Sequence, residues 1–241
     1  MKKIEKTENQ VVFTAEISDT LANSIRRYIN QIPVLAVDEV EISRNDSPLY
    51  DETVAHRIGL VPLKADKSAN VEKTSGKLKL EVKKEGIVYS GEIKGQPAVV
   101  YKSVPITALA KNQELQLTAT VKAGKGFEHA KFSPGIMFYR NVSEITLDKE
   151  FYDEIKEIVP EDRIKEKGNK ITIVDNKKKD VADVVEGICN RRGKKAEIEE
   201  KDELVITLES FGQMDVEDIL KKSVQILKKD LNEVSKQVGK A

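Results

Sequence analysis

His56, His129 and Cys189 are the only residues of their types in the 241-residue sequence, so metal or nucleophilic chemistry would have to start from them. Zinc needs three or four nitrogen, sulfur or carboxylate ligands, and an all-cysteine site is impossible with one thiol. The two histidines lie far apart in sequence, in unrelated contexts, and neither has a carboxylate or cysteine at a metal-ligand spacing. A structural or surface role fits each of them better than ligation. Adjacent acids such as Asp38-Glu39 and Asp51-Glu52 could in principle serve acid–base catalysis, but such pairs are ordinary in a chain this rich in charge. No phosphate-cradling glycine loop and no G-x-S-x-G nucleophile elbow occurs. The stretch "KGFEH" (Lys125 to His129) opens like an RNA-recognition strand. It then places Glu128 and His129 where a small residue and an aromatic are required. By elimination the sequence reads as an interaction protein without an active site of its own.

Composition narrows the partners. Lysine and arginine number 41 against 41 aspartates and glutamates, so there is no basic excess for a nucleic-acid sleeve or a membrane surface. Local basic clusters, Lys177 to Lys179 and Arg191 to Lys195, keep a stand-alone nucleic-acid-binding module open as an alternative, though both sit among acids. No run approaches the roughly 20 apolar residues of a membrane span, and the opening "MKKIEKTENQ" lacks the apolar core of a signal peptide. A cytoplasmic protein that touches no membrane is expected.

An interaction protein must display elements, and two helices stand out. In "SDTLANSIRRYINQIP" (Ser18 to Pro33), Ser18 is a good N-cap, Asp19 suits the positive helix end, and Pro33 stops the helix. Leu21, Ile25, Tyr28 and Ile29 make one apolar face. Alternating Val11, Phe13, Ala15 and Ile17 precede it and "VDEVEIS" follows, which predicts strand, helix, strand in a half-sheet with one covering helix. At the other end, "ELVITLES" alternates through Leu204, Ile206 and Leu208 before a long helix. There Leu220, Val224, Leu227, Leu231, Val234 and Val238 recur at spacings of 4 and 3, the seam of a coiled coil. So narrow a stripe favours a helix on another chain, with packing on the chain's own core as the alternative.

The middle is β-rich, with alternation in "GKLKLEVKK" and "ELQLTATVK" and an apolar run in "GIMFYR". From Lys149 to Lys201, 28 of 53 residues are charged and apolar residues come in short islands. That composition predicts a thin core that leans on something else.

The segments "LANSIRR", "IPVLAVDEVEI" and "DETVAHRIGLVPL" within Ser18 to Lys64, the block "LQLTATVKAGKGFEHAKFSPG" (Leu115 to Gly135) and the terminal helix, in that order, resemble the D-subunit family of archaeal RNA polymerase. That family is related to the third-largest subunit of eukaryotic RNA polymerase II and to the bacterial alpha subunit. The resemblance implies an α+β fold: a discontinuous alpha-like dimerisation domain of residues 1–43 and 199–241, and a β-rich insert domain of residues 44–148. Residues 149–198 would be a degenerate ferredoxin-like module.

It also implies a noncatalytic assembly platform for DNA-directed RNA polymerase. The platform forms a heterodimer with subunit L, then recruits small zinc-binding subunits and the two largest subunits. Catalysis with Mg²⁺ would belong to the largest subunits, and DNA would be met only through the complex. Leu21, Ile25 and Ile29 with Leu220, Val224, Leu227, Leu231, Val234 and Val238 would form the partner interface. Asn23, Arg26 and Arg27, and His56 and Arg57 in "DETVAHRIGLVPL", would dock larger subunits, with solvated surface or core support as the plainer alternatives. Asp51 is read as the cap of a short helix there and Gly59 as its end.

One departure from the family matters. Many of its members carry iron–sulfur cysteines, and eukaryotic relatives carry a Cys-rich zinc loop. Here "ADKSANVEKTSG" stands in the zinc-loop position, and "IVPEDRI" and "EGICNRRG" hold one cysteine between them. Neither an iron–sulfur cluster nor zinc is expected.

Overall fold

The computed structural model describes residues 2–64, 71, 74–175 and 181–239. Along the chain run β1 (Lys2–Lys6), β2 (Gln10–Ala15), α1 (Asp19–Ile29), β3 (Val34–Asn45), α2 (Asp51–Gly59), β4 (Gly76–Val82), β5 (Gly86–Tyr89), β6 (Lys94–Gln96), β7 (Pro105–Leu109) and β8 (Leu115–Gly124). Then come β9 (Gly135–Asp148), α3 (Tyr152–Ile155), β10 (Ile164–Lys167), β11 (Lys170–Val174), α4 (Ala182–Arg191), β12 (Glu197–Ser210) and α5 (Val216–Val238). This is a mixed α+β chain whose strands are mostly antiparallel, with five α-helices among the described residues.

Contacts divide the chain into two units, each built from two separated stretches: residues 1–22 with 137–207, and residues 23–136 with 208–241. The first unit is organised on a six-stranded sheet in the order β1-β2-β12-β9-β11-β10. The alternation seen in sequence is the inward face of this sheet: Val11, Phe13 and Ala15 of β2 and Leu204, Ile206 and Leu208 of β12 are all buried. The second unit holds a four-stranded antiparallel sheet, β3-β8-β4-β6, and the two-stranded pair β5-β7. Its core gathers Leu35, Val37, Leu78, Leu80, Val82, Leu115, Leu117 and Val121 with Val54 and Ile58 of α2.

Three expectations are corrected. The strand after the first helix does not complete a half-sheet with β2. β3 pairs instead with β8, from Val34 opposite Gly124 to Asn45 opposite Leu115, because that long register buries its apolar start, Val34 to Val37. A boundary at residue 43 therefore falls inside a strand. Residues 149–198 do not stand apart either: β10 and β11 extend the sheet of the first unit, with β11 antiparallel to β9. The core of this segment is fuller than its composition suggests, and it leans on β9 through Ile145 and Leu147. Ile145, Leu147, Phe151, Ile155, Val159, Ile171, Ile173, Val185, Ile188 and Cys189 form a closed cluster. The charges lie on the outward side, as along β11, where Ile171 and Ile173 point in. Pairs such as Lys194 with Asp148 (2.7 Å) and Glu150 (2.9 Å), and Lys170 with Glu197 (2.8 Å), lie on that exterior.

Behind this exterior sits one charged pair that is not a surface feature. Arg140 of β9 makes a bidentate contact with Asp175, just past β11. Its Nη2 donates to Oδ1 at 3.0 Å, Nη1 donates to Oδ2, and Asp175 is almost wholly buried. The Ser143 amide also donates to Asp175, at 3.3 Å.

Candidate functional site

α1 begins as its sequence requires: the Leu21 amide donates to Ser18 Oγ at 3.3 Å, and the Ala22 amide to the Ser18 carbonyl at 3.0 Å. Ala22 and Ile29 are buried, Ile25 is half-buried and Leu21 is 43% exposed. Arg26 and Arg27 face solvent, and Asn23 Oδ1 accepts from Arg26 Nη2 at 2.8 Å and Nε at 3.3 Å. The arginine pair is thus presented, with Arg26 held by its own helix. At the far end of the helix, burial pushes the Tyr28 hydroxyl up from its ordinary pKa, and Asp230 of α5, accepting its proton, adds to the shift.

α5 carries two apolar stripes. Val216, Ile219, Ser223 and Leu227 are buried. Rotated from these lies the predicted seam. Leu220 is half-buried, but Val224 is 42%, Leu231 59%, Val234 55% and Val238 70% exposed. The stripes cross at Leu227, which is 8% exposed. Its side chain belongs to the chain's own core, as does that of Ile29, because the helix needs both positions to pack at home. The seam open to another chain is therefore Val224, Leu231, Val234 and Val238, flanked by Leu220.

α2 carries the other predicted docking residues. Tyr50 rather than Asp51 is the N-cap; Asp51 is the first helical residue and accepts from Asn45 Nδ2 at 2.8 Å. Gly59 ends the helix, as expected. His56 and Arg57 are exposed, and Arg57 also donates from Nη1 to the buried Ile106 carbonyl at 2.9 Å, which ties α2 to β7. The two histidines, unrelated in sequence, line one cavity of about 230 Å³ together with Asp38 and Lys131. Only the pairing of β3 with β8 brings them together, so no local sequence signal could have found this.

Asp38 receives Lys122 at 2.9 Å and Lys131 at 3.3 Å. Burial pushes its carboxyl up, but the two ammonium groups outweigh burial and hold it below the usual carboxylate range. A carboxyl depressed on folding stabilises the fold above its unfolded pKa of about 4, and that contribution is lost as pH falls through the lower folded value. The stability difference between wild type and Asp38→Asn should accordingly be constant near neutrality and shrink below about pH 4. Urea titrations across pH check this, and a difference that grew on acidification would contradict it.

Among the described residues no group of three or more His, Cys, Asp or Glu is placed to hold a metal ion. Cys189 is buried in the apolar cluster of its unit, and burial followed by nearby carboxylates pushes its thiol up, away from the thiolate that a metal needs. The zinc-loop position, Ala65 to Gly76, and the cluster Lys177 to Lys179 fall largely or wholly outside the described residues. In the other basic cluster, Arg192 pairs with Glu154 and Lys194 with two acids, so two of its four cations are already matched by carboxylates within the chain. No helix among the described residues is long and apolar enough to cross a membrane.

Comparison with known proteins decides the family. A sequence model of the RNA polymerase Rpb3/RpoA insert domain matches residues 40–138. DNA-directed RNA polymerase subunit Rpo3 of Pyrococcus horikoshii is 32% identical over 259 aligned residues, covering 99% of both chains. The chain belongs to the Rpo3 family. Rpo3 of Methanothermobacter thermautotrophicus is 32% identical with 95% of each chain covered, and that of Pyrobaculum islandicum 36% identical over 89% of this chain and 85% of its own. Rpo3 is the equivalent of the D subunit, so the motif-based resemblance stands, and this Rpo3-family chain is a component of an archaeal DNA-directed RNA polymerase.

Proposed function

We propose that this Rpo3-family chain is a noncatalytic assembly platform that pairs with subunit L and then docks the small zinc-binding subunits and the two largest subunits of the polymerase. The observation carrying this reading is the open seam of α5: four large apolar side chains at coiled-coil spacing are left in water along one helix face. Each such side chain is worth about 1.5 to 3 kcal/mol when fully buried, an upper bound but enough to drive association. Leu21 and the half-buried Ile25 of α1 remain candidates for contacts with subunit L. Exposed Arg26, Arg27 and His56 remain the candidates for contacts with larger subunits, and Arg57 would act there from a position it also holds within the chain.

The reading includes neither an iron–sulfur cluster nor zinc, since the sequence has one cysteine and its thiol is enclosed by apolar side chains. Co-expression with subunit L of the same organism should give a one-to-one complex by native mass, without iron. A monodisperse chain indifferent to L, or an iron-loaded complex, would count against the corresponding part of the proposal.

A further inference from the structure

The polar border of the α5 seam is lopsided in charge. Lys221 and Lys228 stand one heptad apart, and an advance of about 100° per residue puts both on the same flank, beside Val224 and Leu231. Both are exposed. Lys221 reaches Asp218 only at 3.9 Å, and Lys228 has no ion pair among the described residues. The other flank carries Asp230, half-buried on the side of the helix nearer the buried stripe. The charge left over along the seam is therefore positive and confined to one edge.

That asymmetry bears on what can lie there. A second copy packed antiparallel would set the two lysine edges against each other, and like charges at a helix interface oppose pairing. Packed parallel and in register, Lys221 and Lys228 would face Val216 and Ser223 while Asp230 faces Ser235, so neither lysine would meet a carboxylate. A helix with carboxylates along the matching edge suits both the apolar seam and the two exposed ammonium groups. We propose that the α5 seam selects a partner helix whose apolar face is bordered by Asp or Glu, and that Lys221 and Lys228 discourage the chain from pairing with itself. This rests on the heterodimer reading above and names the chemistry of the partner surface.

The test measures binding of full-length chain to subunit L at about 50 mM and about 1 M salt, for wild type, Lys221→Glu/Lys228→Glu and Leu231→Asp. Charge reversal should weaken binding about tenfold at low salt and only about twofold at high salt, because exposed charges are screened. The wild-type chain alone should sediment as a monomer at the same concentrations. If Leu231→Asp abolishes binding while charge reversal leaves it unchanged or tighter, the acidic-edge inference fails and the heterodimer reading survives. If Leu231→Asp leaves binding intact, the seam is not the interface and both fall. A wild-type homodimer as tight as the heterodimer would overturn the inference as well.

Discussion

Leu231→Asp is expected to leave the isolated chain folded and to weaken its complex with subunit L by about 3 kcal/mol, roughly a hundredfold. The side chain is 59% exposed in the free chain, so the new carboxylate stays hydrated until a partner helix covers it. Leu227→Asp, four residues away and on the same heptad pattern, should behave differently. Leu227 is buried within its own chain, so the carboxylate must be desolvated on folding, which lowers stability by several kcal/mol before any partner arrives. Lys229→Asp, on an exposed position away from the seam, should stay within about 0.5 kcal/mol of wild type. Thermal unfolding of the isolated chain, set beside capture by tagged subunit L, separates the three. A Leu231 variant that bound normally would remove the main support for the proposed interface.

Arg140→Met should destabilise the chain by about 3 to 5 kcal/mol, because it strands the buried Asp175 carboxylate without its bidentate partner. The Ser143 amide, donating at 3.3 Å, is too weak a donor to replace the guanidinium. Adding Asp175→Asn should recover part of the loss, since a neutral amide costs less to bury than an unpaired carboxylate. Urea unfolding of wild type, single and double variants checks this. A single variant as stable as wild type would show that the pair does not hold β9 to the end of β11.

How far the sequence could be read depended on the range of the interactions involved. The Ser18 cap, the extent of the α1 and α5 helices and the alternation in β4, β8 and β12 are local signals, and each reappears in the structure where the residues place it. The partner of β3 is not local. Alternation says which side chains point inward but not which of several similar strands lies alongside, so "VDEVEIS" alone does not reveal that its strand pairs with β8. The same limit hid the meeting of His56 and His129 across β3 and β8. Leu227 shows a subtler limit. A heptad pattern identifies a face that must be covered, while burial by the chain itself at one turn and exposure at the next depend on where the body of the protein ends. In the charged segment a high overall charge fraction masks eight inward-facing residues, which make a small core together with Ile145 and Leu147 of β9.

The interleaving of the two units also sets an order of events on the ribosome. Residues 10–15 wait for residues 197–210 before β2 gains its neighbour β12, and the second unit waits for everything beyond Leu208, including α5. Synthesis is vectorial, so a nascent chain can pair β3 with β8 early, can finish the first unit only once β12 has emerged, and can finish the second only when residues beyond Leu208 follow. A product cut before β12 consequently lacks both the full six-stranded sheet and the seam, and one cut between β12 and α5 lacks the seam. If the seam is what recruits the partner, prematurely terminated chains are barred from polymerase assembly by topology alone, without any dedicated surveillance.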